Sequence, residues 1–182
     1  MGKKIFIIGH TFPEPTTTAA GSRMMQLIKL FIKEGFQVTF GSAASTSDKS
    51  ADLHILGITS ENLKLNHPSF DILIAKLEPT IVLFDRYITE EQFGWRVAEH
   101  CPNALRVLDT EDLHFLRKAR EVSFKKHGNL NDLQLYTDTA KRELASILRS
   151  DLSLIISEIE MALLIDIFHI PEGLLQYLPF LP

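Results

Sequence analysis

The sequence is short of cysteine and of basic charge, and each shortage excludes a class of protein. Its single cysteine, Cys101, excludes an internal disulfide framework and is typical of a reducing compartment, so we expect a cytoplasmic protein. The apolar run from Ile5 to Ile8 stops at Gly9 and is too short for a secretory signal or a membrane span. With 19 Lys and Arg against 23 Asp and Glu, the formal net charge is -4, which argues against general nucleic-acid binding.

Several short motifs that announce a chemistry are also missing. The sequence has no G-x-G-x-x-G dinucleotide fingerprint and no G-x-x-x-x-G-K-[ST] phosphate loop. It has no H-E-x-x-H or C-x-x-C pair, so we expect no zinc site, and no G-x-S-x-G for a hydrolase nucleophile. A functional site therefore has to be predicted from the order of strands and helices.

Strands and helices alternate along the sequence, and this alternation predicts the fold class. The apolar run from Lys3 to Gly9 is typical of a strand buried on both faces, and apolar residues then recur at helical spacing up to Gly35. We predict capping boxes at 89–92 and 157–160, each starting a helix. Predicted strands lie at 3–9, 36–41, 52–58, 80–85, 104–109 and 151–157, and other helices at 22–34, 68–77, 113–126, 138–149 and 158–169. The sequence therefore predicts an α/β domain with a doubly wound, mostly parallel sheet and helices on both faces, which is Rossmann-like.

Charged or polar residues follow several of the predicted strands at the point where each strand ends. Ligands of open parallel sheets bind at the carboxyl ends of the strands, so these residues are candidates for a polar cleft. Any one of them is also explained as ordinary chemistry of a helix N-terminus, and only their convergence on one edge favours a cleft. Besides the loop after the first strand, the candidates are Asp85, Arg86 and Tyr87, the segment Asp109 to Asp112, and Ser157 with Glu158.

The loop after the first strand is a further candidate because it is long and stiffened by proline. It runs from His10 to the turn Gly21-Ser22-Arg23, which opens the next helix, and it also contains Glu14. Backbone N–H groups at a helix start attract anions, and a glycine there lets a ligand approach closely. The alternative is a surface loop in which Gly21 only eases the turn, although loops of this length at a ligand edge are more often functional.

The predicted helix at 113–126 is basic. It carries Arg117, Lys118, Arg120, Lys125 and Lys126, interrupted by Glu121 and Phe124. Such a helix is compatible with contact to phosphates or to an anionic membrane surface, but a solvated face is the commoner outcome.

In the order and spacing of these segments, the chain resembles the N-terminal domain of two-Rossmann-domain (GT-B) glycosyltransferases, close to the family 4 or group 1 branch. The resemblance rests on the proline-containing loop and G-S-R turn before a helix that ends in E-G-F-x-V. It also rests on VLFDRYITEEQFGWRV, LDTEDLHFLR and SLIISEIEMALLIDIFHIPEGLLQYLPF. The similarity covers essentially the whole chain.

The resemblance implies an acceptor-binding domain whose complete enzyme takes a nucleotide-diphosphate sugar as donor. Gly21, Ser22 and Arg23 would face the donor phosphates. Ser157 and Glu158 would line the cleft edge, and no residue is identified as the catalytic base. Orientation of a sugar acceptor would fall to Glu14, Asp85, Arg86, Glu111, Asp112 and His114. In one respect the sequence departs from the family: the loop PEPTTTAAGS has threonines where many relatives have glycines. This departure concerns the predicted contact of Gly21, Ser22 and Arg23 with the donor phosphates.

The last residues of the chain suggest that it is half of a larger assembly. We predict a Rossmann-like acceptor-binding domain at 1–170 and the start of an interdomain linker at 171–182, with the donor-binding domain absent. The uncharged run 174–181 would need a partner surface, and an exposed interdomain face would favour self-association. Two alternatives stay open: one subunit of a split glycosyltransferase, or a stand-alone flavodoxin-like binding or regulatory module.

Overall fold

The computed structural model describes residues 2–181, which form one sheet of seven strands. The strands are β1 (Lys4–Gly9), β2 (Gln37–Ser42), β3 (Thr59–Asn62), β4 (Ile81–Asp85), β5 (Leu105–Asp109), β6 (Leu152–Ile155) and β7 (Leu175–Tyr177). Their order in the sheet is β3-β2-β1-β4-β5-β6-β7, and every pairing is parallel. The order reverses between β1 and β4, which makes that position the switch point of the sheet.

Helices connect the strands, as the alternating sequence pattern predicts. The α-helices are α1 (Ala19–Lys33), α2 (Ser69–Leu77), α3 (Arg86–His100), α4 (His114–His127), α5 (Asp138–Arg149) and α6 (Glu158–Ala162). A π-helical turn, Leu163–Ile167, continues α6, and short 3-10 helices lie at Leu53–Leu56 and Glu172–Leu174. The predicted Rossmann-like α/β fold is confirmed.

The sheet separates two apolar cores, one on each face. Alternate residues of β1 divide between them: Phe6 and Ile8 lie in one core, and Ile5 and Ile7 lie in the other. The first core is covered by apolar residues of α2, α3, α4 and α5, namely Phe70, Ile74, Phe93, Val97, Phe115, Leu116, Ala140 and Ile147. The second is covered by α1 through Met24, Leu27 and Ile28. A strand buried on both faces explains why its sequence is a continuous apolar run.

The prediction of a strand at 52–58 is wrong. Asp52 caps a 3-10 helix there, since its Oδ1 accepts a hydrogen bond from the backbone N–H of His54 at 3.0 Å. Gly57 ends that helix in the left-handed region with φ 72°, and β3 begins only at Thr59. A local side-chain hydrogen bond has therefore overridden the apolar pattern of the segment.

Neither predicted capping box forms. Helix α3 begins at Arg86, directly after β4, so Thr89 lies within its first turn and its hydroxyl donates to the carbonyl of Asp85 at 2.9 Å. Ser157 precedes α6 but makes no side-chain capping hydrogen bond. Glu160, the expected reciprocal partner of Ser157, instead accepts from the backbone N–H of Leu113 at 3.2 Å.

The C-terminal run that was expected to need a partner surface packs on its own domain. Strand β7 pairs with β6, and the backbone N–H of Leu178 donates to the carbonyl of Ile155 at 2.8 Å. The Gln26 amide of α1 donates to the carbonyl of Leu181 at 2.6 Å, and its oxygen accepts from the Leu181 N–H at 3.2 Å. The assignment of 171–182 as the start of a linker stays a prediction, with Pro182 outside the described residues.

Within residues 2–181, no helix combines the length and the apolar character needed to cross a bilayer.

Candidate functional site

A cluster of ionisable side chains lies at the switch point, where β1 and β4 end and where open parallel sheets have their ligand crevice. The carboxylate of Asp85, the last residue of β4, accepts a hydrogen bond from the backbone N–H of His10 at 3.0 Å. His10 follows β1 directly, and its carbonyl accepts from the hydroxyl of Ser42 at the end of β2 at 3.3 Å. Three neighbouring strand ends are thus tied together at the edge where parallel sheets bind ligands.

Arg86 and Glu111 form an ion pair across this crevice. Arg86 Nε lies 2.7 Å from Glu111 Oε2 and 3.5 Å from Asp85 Oδ1. Both residues have left-handed backbones, with φ 72° for Arg86 and 64° for Glu111. Such conformations in non-glycine residues cost about 1–3 kcal/mol each and cluster at functional sites. We refer to His10, Asp85, Arg86, Glu111 and His114 as the crevice cluster.

Burial and charge shift the titration of the crevice cluster. Burial raises the pKa of the Asp85 carboxyl, against the opposing charge of Arg86 and the hydrogen bond from His10. Burial likewise raises the pKa of Glu111, against the charges of Arg86 and His114. Burial, aided by the positive charges of Arg86 and His114, lowers the pKa of His10. The His10 imidazole is therefore neutral at pH 7 and can either donate or accept a hydrogen bond.

His114 is held at the crevice by Glu143 of α5. Its Nδ1 lies 3.2 Å from Glu143 Oε1, and its ring meets the Tyr87 ring edge-on at 5.6 Å between centroids. Burial alone would lower the pKa of His114, but the hydrogen bond to Glu143 and the Glu143 and Asp112 charges outweigh it and raise that pKa.

The N-terminus of α4 is already occupied by carboxylates of the chain itself. Glu143 accepts hydrogen bonds from the backbone N–H groups of His114 at 3.0 Å and Phe115 at 2.7 Å. Glu160 accepts a hydrogen bond from the backbone N–H of Leu113, the residue before α4, and burial raises the pKa of the Glu160 carboxyl. These carboxylates fill the positions that an anionic ligand would take at a free helix N-terminus.

The first loop is braced by its own contacts. A Cβ added at Gly21 would lie 2.5 Å from the backbone of Glu14, and the hydroxyl of Ser22 donates to the carbonyl of Pro15 at 2.8 Å. The Glu14 carboxylate accepts hydrogen bonds from Ser47 at 2.5 Å and from Thr17 at 3.0 Å, and these lower its pKa. The close approach at Gly21 is therefore to the chain's own backbone.

Arg23 lies inside the domain. Its side chain and that of Asp109, the last residue of β5, are each 2% exposed, and their closest contact is 2.9 Å from Nη2 to Oδ1. Arg23 Nη1 also donates to the carbonyl of Pro179 at 3.2 Å, and its guanidinium lies 5.7 Å from the centroid of the Phe180 ring. The residues after β7 thus cover this ion pair.

The structure brings some predicted site residues together and leaves others apart. Asp85, Arg86, Glu111 and His114 converge in the crevice, with Asp112 beside them at 3.5 Å from His114. Ser157 is half-buried and Glu158 exposed. Whether Gly21, Ser22 and Arg23 contact a donor phosphate, or Glu14 an acceptor, stays a prediction.

Sequence reasoning missed three residues that shape the site. His10 and Asp109 were passed over within their segments, although both stand directly at strand ends. Glu143 was missed entirely, but it left a signal in the sequence, since it falls on the apolar stripe of α5 between Ala140 and Ile147. A charged residue on a buried stripe needs a partner and so predicts a structural contact.

The described residues 2–181 hold no group of three His, Cys, Asp or Glu side chains placed to bind a metal ion.

Comparison with known proteins gives likeness of fold only. No protein-family model and no curated protein matches the sequence. Among solved structures, the chain is similar to sucrose-phosphate synthase from Thermosynechococcus elongatus, with a TM-score of 0.62 and 14% identity over 97% of this chain and 48% of that one. It is also similar to the lipopolysaccharide outer core galactosyltransferase WaaB, with a TM-score of 0.59 and 13% identity over 97% of this chain and 46% of that one.

The likeness is not confined to glycosyltransferases. A short-chain dehydrogenase/reductase from Veillonella parvula, solved with NADP, has a TM-score of 0.52 and 13% identity, over 86% of this chain and 70% of that one. The two glycosyltransferases are matched over a larger share of this chain, and the chain spans about half of their length. The fold therefore resembles a GT-B glycosyltransferase domain.

Proposed function

We propose that this chain is the acceptor-side domain of a nucleotide-sugar-dependent glycosyltransferase and works with a donor-binding domain or chain. The observation that carries the proposal is the crevice cluster at the switch point of a GT-B-like sheet. The half-length match to two glycosyltransferases supports the requirement for a second domain. The family 4 or group 1 branch belongs to the same proposal.

The chemistry of the crevice cluster suits a sugar hydroxyl. The carboxylates of Asp85 and Glu111 accept hydrogen bonds, the guanidinium of Arg86 donates them, and the neutral His10 can do either. A hydroxyl-rich acceptor needs such a mixture of donors and acceptors, whereas a phosphate would need an excess of positive charge. We therefore assign orientation of the acceptor to these four residues.

Sugar transfer would then depend on closure of the crevice against the donor domain. Positioning the two substrates and excluding water supply much of the rate in such reactions. The isolated chain offers the acceptor site alone, so we expect it to transfer no sugar from any nucleotide-sugar donor.

A dinucleotide-binding function is the runner-up because a dehydrogenase shares the fold. No G-x-G-x-x-G follows β1, and Gly21 approaches the backbone of Glu14. These features favour the transferase reading over an NADP site. The split-enzyme alternative places the same function on a separate partner chain.

The proposal is tested by NMR titration of the isotope-labelled chain with a panel of mono- and oligosaccharides, and with NADP as a competitor class. A bound acceptor should shift the backbone amides of 10–12, 85–87 and 111–114, and Arg86→Ala should abolish the shifts. Arg106→Ala is the matched control, because Arg106 pairs with the surface residue Asp151 near the start of β5, away from the strand ends that form the site.

Two outcomes would contradict the proposal. NADP shifts at the same amides without any saccharide effect would place the chain among dinucleotide-binding proteins. Detectable sugar transfer by the isolated chain, from any radiolabelled nucleotide sugar, would show that no donor domain is needed.

A further inference from the structure

An open cavity of about 310 Å³ lies beside the crevice cluster, between the start of α4 and the first residues of α3 and α5. Four of its lining residues come from α4 at positions i, i+3, i+4 and i+7, so they lie on one side of that helix. His114 belongs both to the crevice cluster and to this cavity, so a ligand bound in the crevice can extend into the cavity. The residues that line it are Tyr87, His114, Arg117, Lys118, Glu121 and Thr139.

Lys118 gives this cavity a positive charge that has no carboxylate partner within residues 2–181. The other charges contributed by α4 are paired: Arg117 Nη1 lies 3.0 Å from Asp112 Oδ2, and Glu121 binds Lys125 one turn further along the helix. One uncompensated positive charge suits a ligand group with one negative charge. A carboxylate has that charge, whereas a phosphate monoester carries about −1.5 to −2 at pH 7.

Two further side chains offer hydrogen bonds to an anion in the cavity. Tyr87 is 8% exposed, yet in the part of the chain that the structure describes its hydroxyl has no hydrogen-bond partner. Burial raises the pKa of Tyr87, so the hydroxyl keeps its proton and can donate it. The Nδ1 atom of His114 lies 3.2 Å from Glu143 Oε1 and 3.1 Å from the Asp112 carbonyl oxygen, which leaves Nε2 for a ligand. Although burial opposes it, the hydrogen bond and charge of Glu143 raise the pKa of His114, which favours the imidazolium form in which Nε2 donates.

We propose that this cavity binds the carboxylate of an acidic sugar, a uronic acid, while the crevice cluster binds its ring hydroxyls. Because it names the class of acceptor that the same site takes, this role of the cavity rests on the proposed function. Lys118 forms an ion pair with the carboxylate, and the Tyr87 hydroxyl and His114 Nε2 donate hydrogen bonds to its oxygens. A neutral sugar would leave the charge of Lys118 without a partner, and a phosphate would bring a second negative charge close to Glu121.

The test is an NMR titration of the isotope-labelled chain with ligands that share one shape and differ in charge. One series is D-glucose, D-glucuronate and D-glucuronamide, and the second is the corresponding galactose series. In at least one series we expect the uronate to bind about 10-fold tighter than the neutral sugar and the amide, which corresponds to one charge-assisted hydrogen bond. The uronate alone should shift the backbone amides of Tyr87, Thr139 and 115–121 in addition to those of the crevice cluster.

Two variants remove the proposed carboxylate contacts. Lys118→Ala and Tyr87→Phe should each weaken binding of the uronate by roughly 10-fold and leave binding of the neutral sugar unchanged. Lys29→Ala is the matched control, because Lys29 is an exposed lysine of α1, on the opposite face of the sheet, and its loss changes the net charge equally. It should bind both ligands like the unmodified chain. Thermal unfolding followed by circular dichroism checks that each variant keeps its fold.

The outcomes separate this inference from the proposed function. Neutral sugars that bind at the crevice amides with no preference for either uronate would overturn the inference and leave the proposed function standing, whereas no response to any saccharide would overturn both. Equal losses in Lys118→Ala and Lys29→Ala would show an effect of net charge alone and would also overturn the inference. Tighter binding of glucose 6-phosphate than of glucuronate, or equal binding of acetate, would exclude a site built for an acidic sugar.

Discussion

Replacing Arg23 by alanine should destabilise the domain more than any exposed charge change, because it leaves Asp109 buried without its partner. Three hydrogen bonds of 2.9–3.0 Å join the two side chains, and both are 2% exposed. Loss of one partner of a buried ion pair costs about 3–5 kcal/mol, because the remaining charge has neither partner nor water.

The loss of unfolding free energy caused by Arg23→Ala should be smaller at low pH than at neutral pH. Burial already raises the pKa of Asp109, against the hydrogen bonds and charge of Arg23. Without Arg23 that pKa must rise further, so the carboxyl of the variant protonates in a pH range where the unmodified pair stays ionised. Protonation removes the uncompensated charge, and the gap in unfolding free energy between the two proteins should narrow as the pH is lowered.

Urea unfolding followed by far-ultraviolet circular dichroism measures the effect, with Arg106→Ala as the matched control. Arg106 lies on the same strand as Asp109 but pairs with Asp151 at 3.3 Å on the surface, and its loss should cost about 1 kcal/mol or less. The double variant R23M/D109L should recover most of the lost stability, because apolar residues replace both charges. Equal costs for Arg23→Ala and Arg106→Ala would refute the reasoning.

Two further predictions concern the first loop and the crevice. Gly21→Ala should lower the unfolding free energy and shift the NMR signals of 10–18, because its Cβ would lie 2.5 Å from the Glu14 backbone; Gly173→Ala, with no atom within 4 Å, should change neither. His114 has a pKa raised above 6.5, so its stabilising pair with Glu143 is fully present below pH 6.5 and is lost as the pH rises through the folded-state pKa. Urea titrations across that range should show this loss of stability in the unmodified chain but not in Glu143→Gln.

Each of these two predictions would be contradicted by a specific result. An unchanged loop spectrum in Gly21→Ala would mean that Gly21 does not approach the Glu14 backbone this closely. For the second, His10 contributes a pH dependence of opposite sign, since its pKa is lowered by burial and in part by the charge of His114. The comparison is therefore made with His10→Asn introduced into both proteins. Equal pH dependence in Glu143→Gln would show that Glu143 does not hold the His114 proton.

Local pattern was sufficient to predict most of the fold. Strands buried on both faces, such as Lys4–Gly9, and amphipathic helices, such as Asp138–Arg149, carry their periodicity in the sequence. The errors lie where one side chain redirects the backbone: Asp52 caps a 3-10 helix, and Glu160 serves Leu113 instead of its own helix. The Asp52 cap lies within two residues of its partner and could be read locally, whereas Glu160 reaches Leu113 across 47 residues and is set by tertiary contact.

The candidate site divides in the same way. Asp85, Arg86 and Glu111 could be predicted because parallel strand ends meet at one edge. The side-chain pairs could not be predicted, because their members are far apart in the sequence. Arg23 and Asp109 are 86 residues apart, and His114 and Glu143 are 29 residues apart. Sequence spacing gives no measure of such distances.

The direct passage from β4 into α3 limits how this site can diversify. Asp85 ends the strand and Arg86 begins the helix, so no loop at that junction can lengthen or exchange residues without shifting an element of the core. The connection from β1 to α1 is different, because nine residues, 10–18, separate the two elements. In natural variants or designed libraries that alter ligand preference, we therefore expect insertions within 10–18, whereas Asp85 and Arg86 keep their positions.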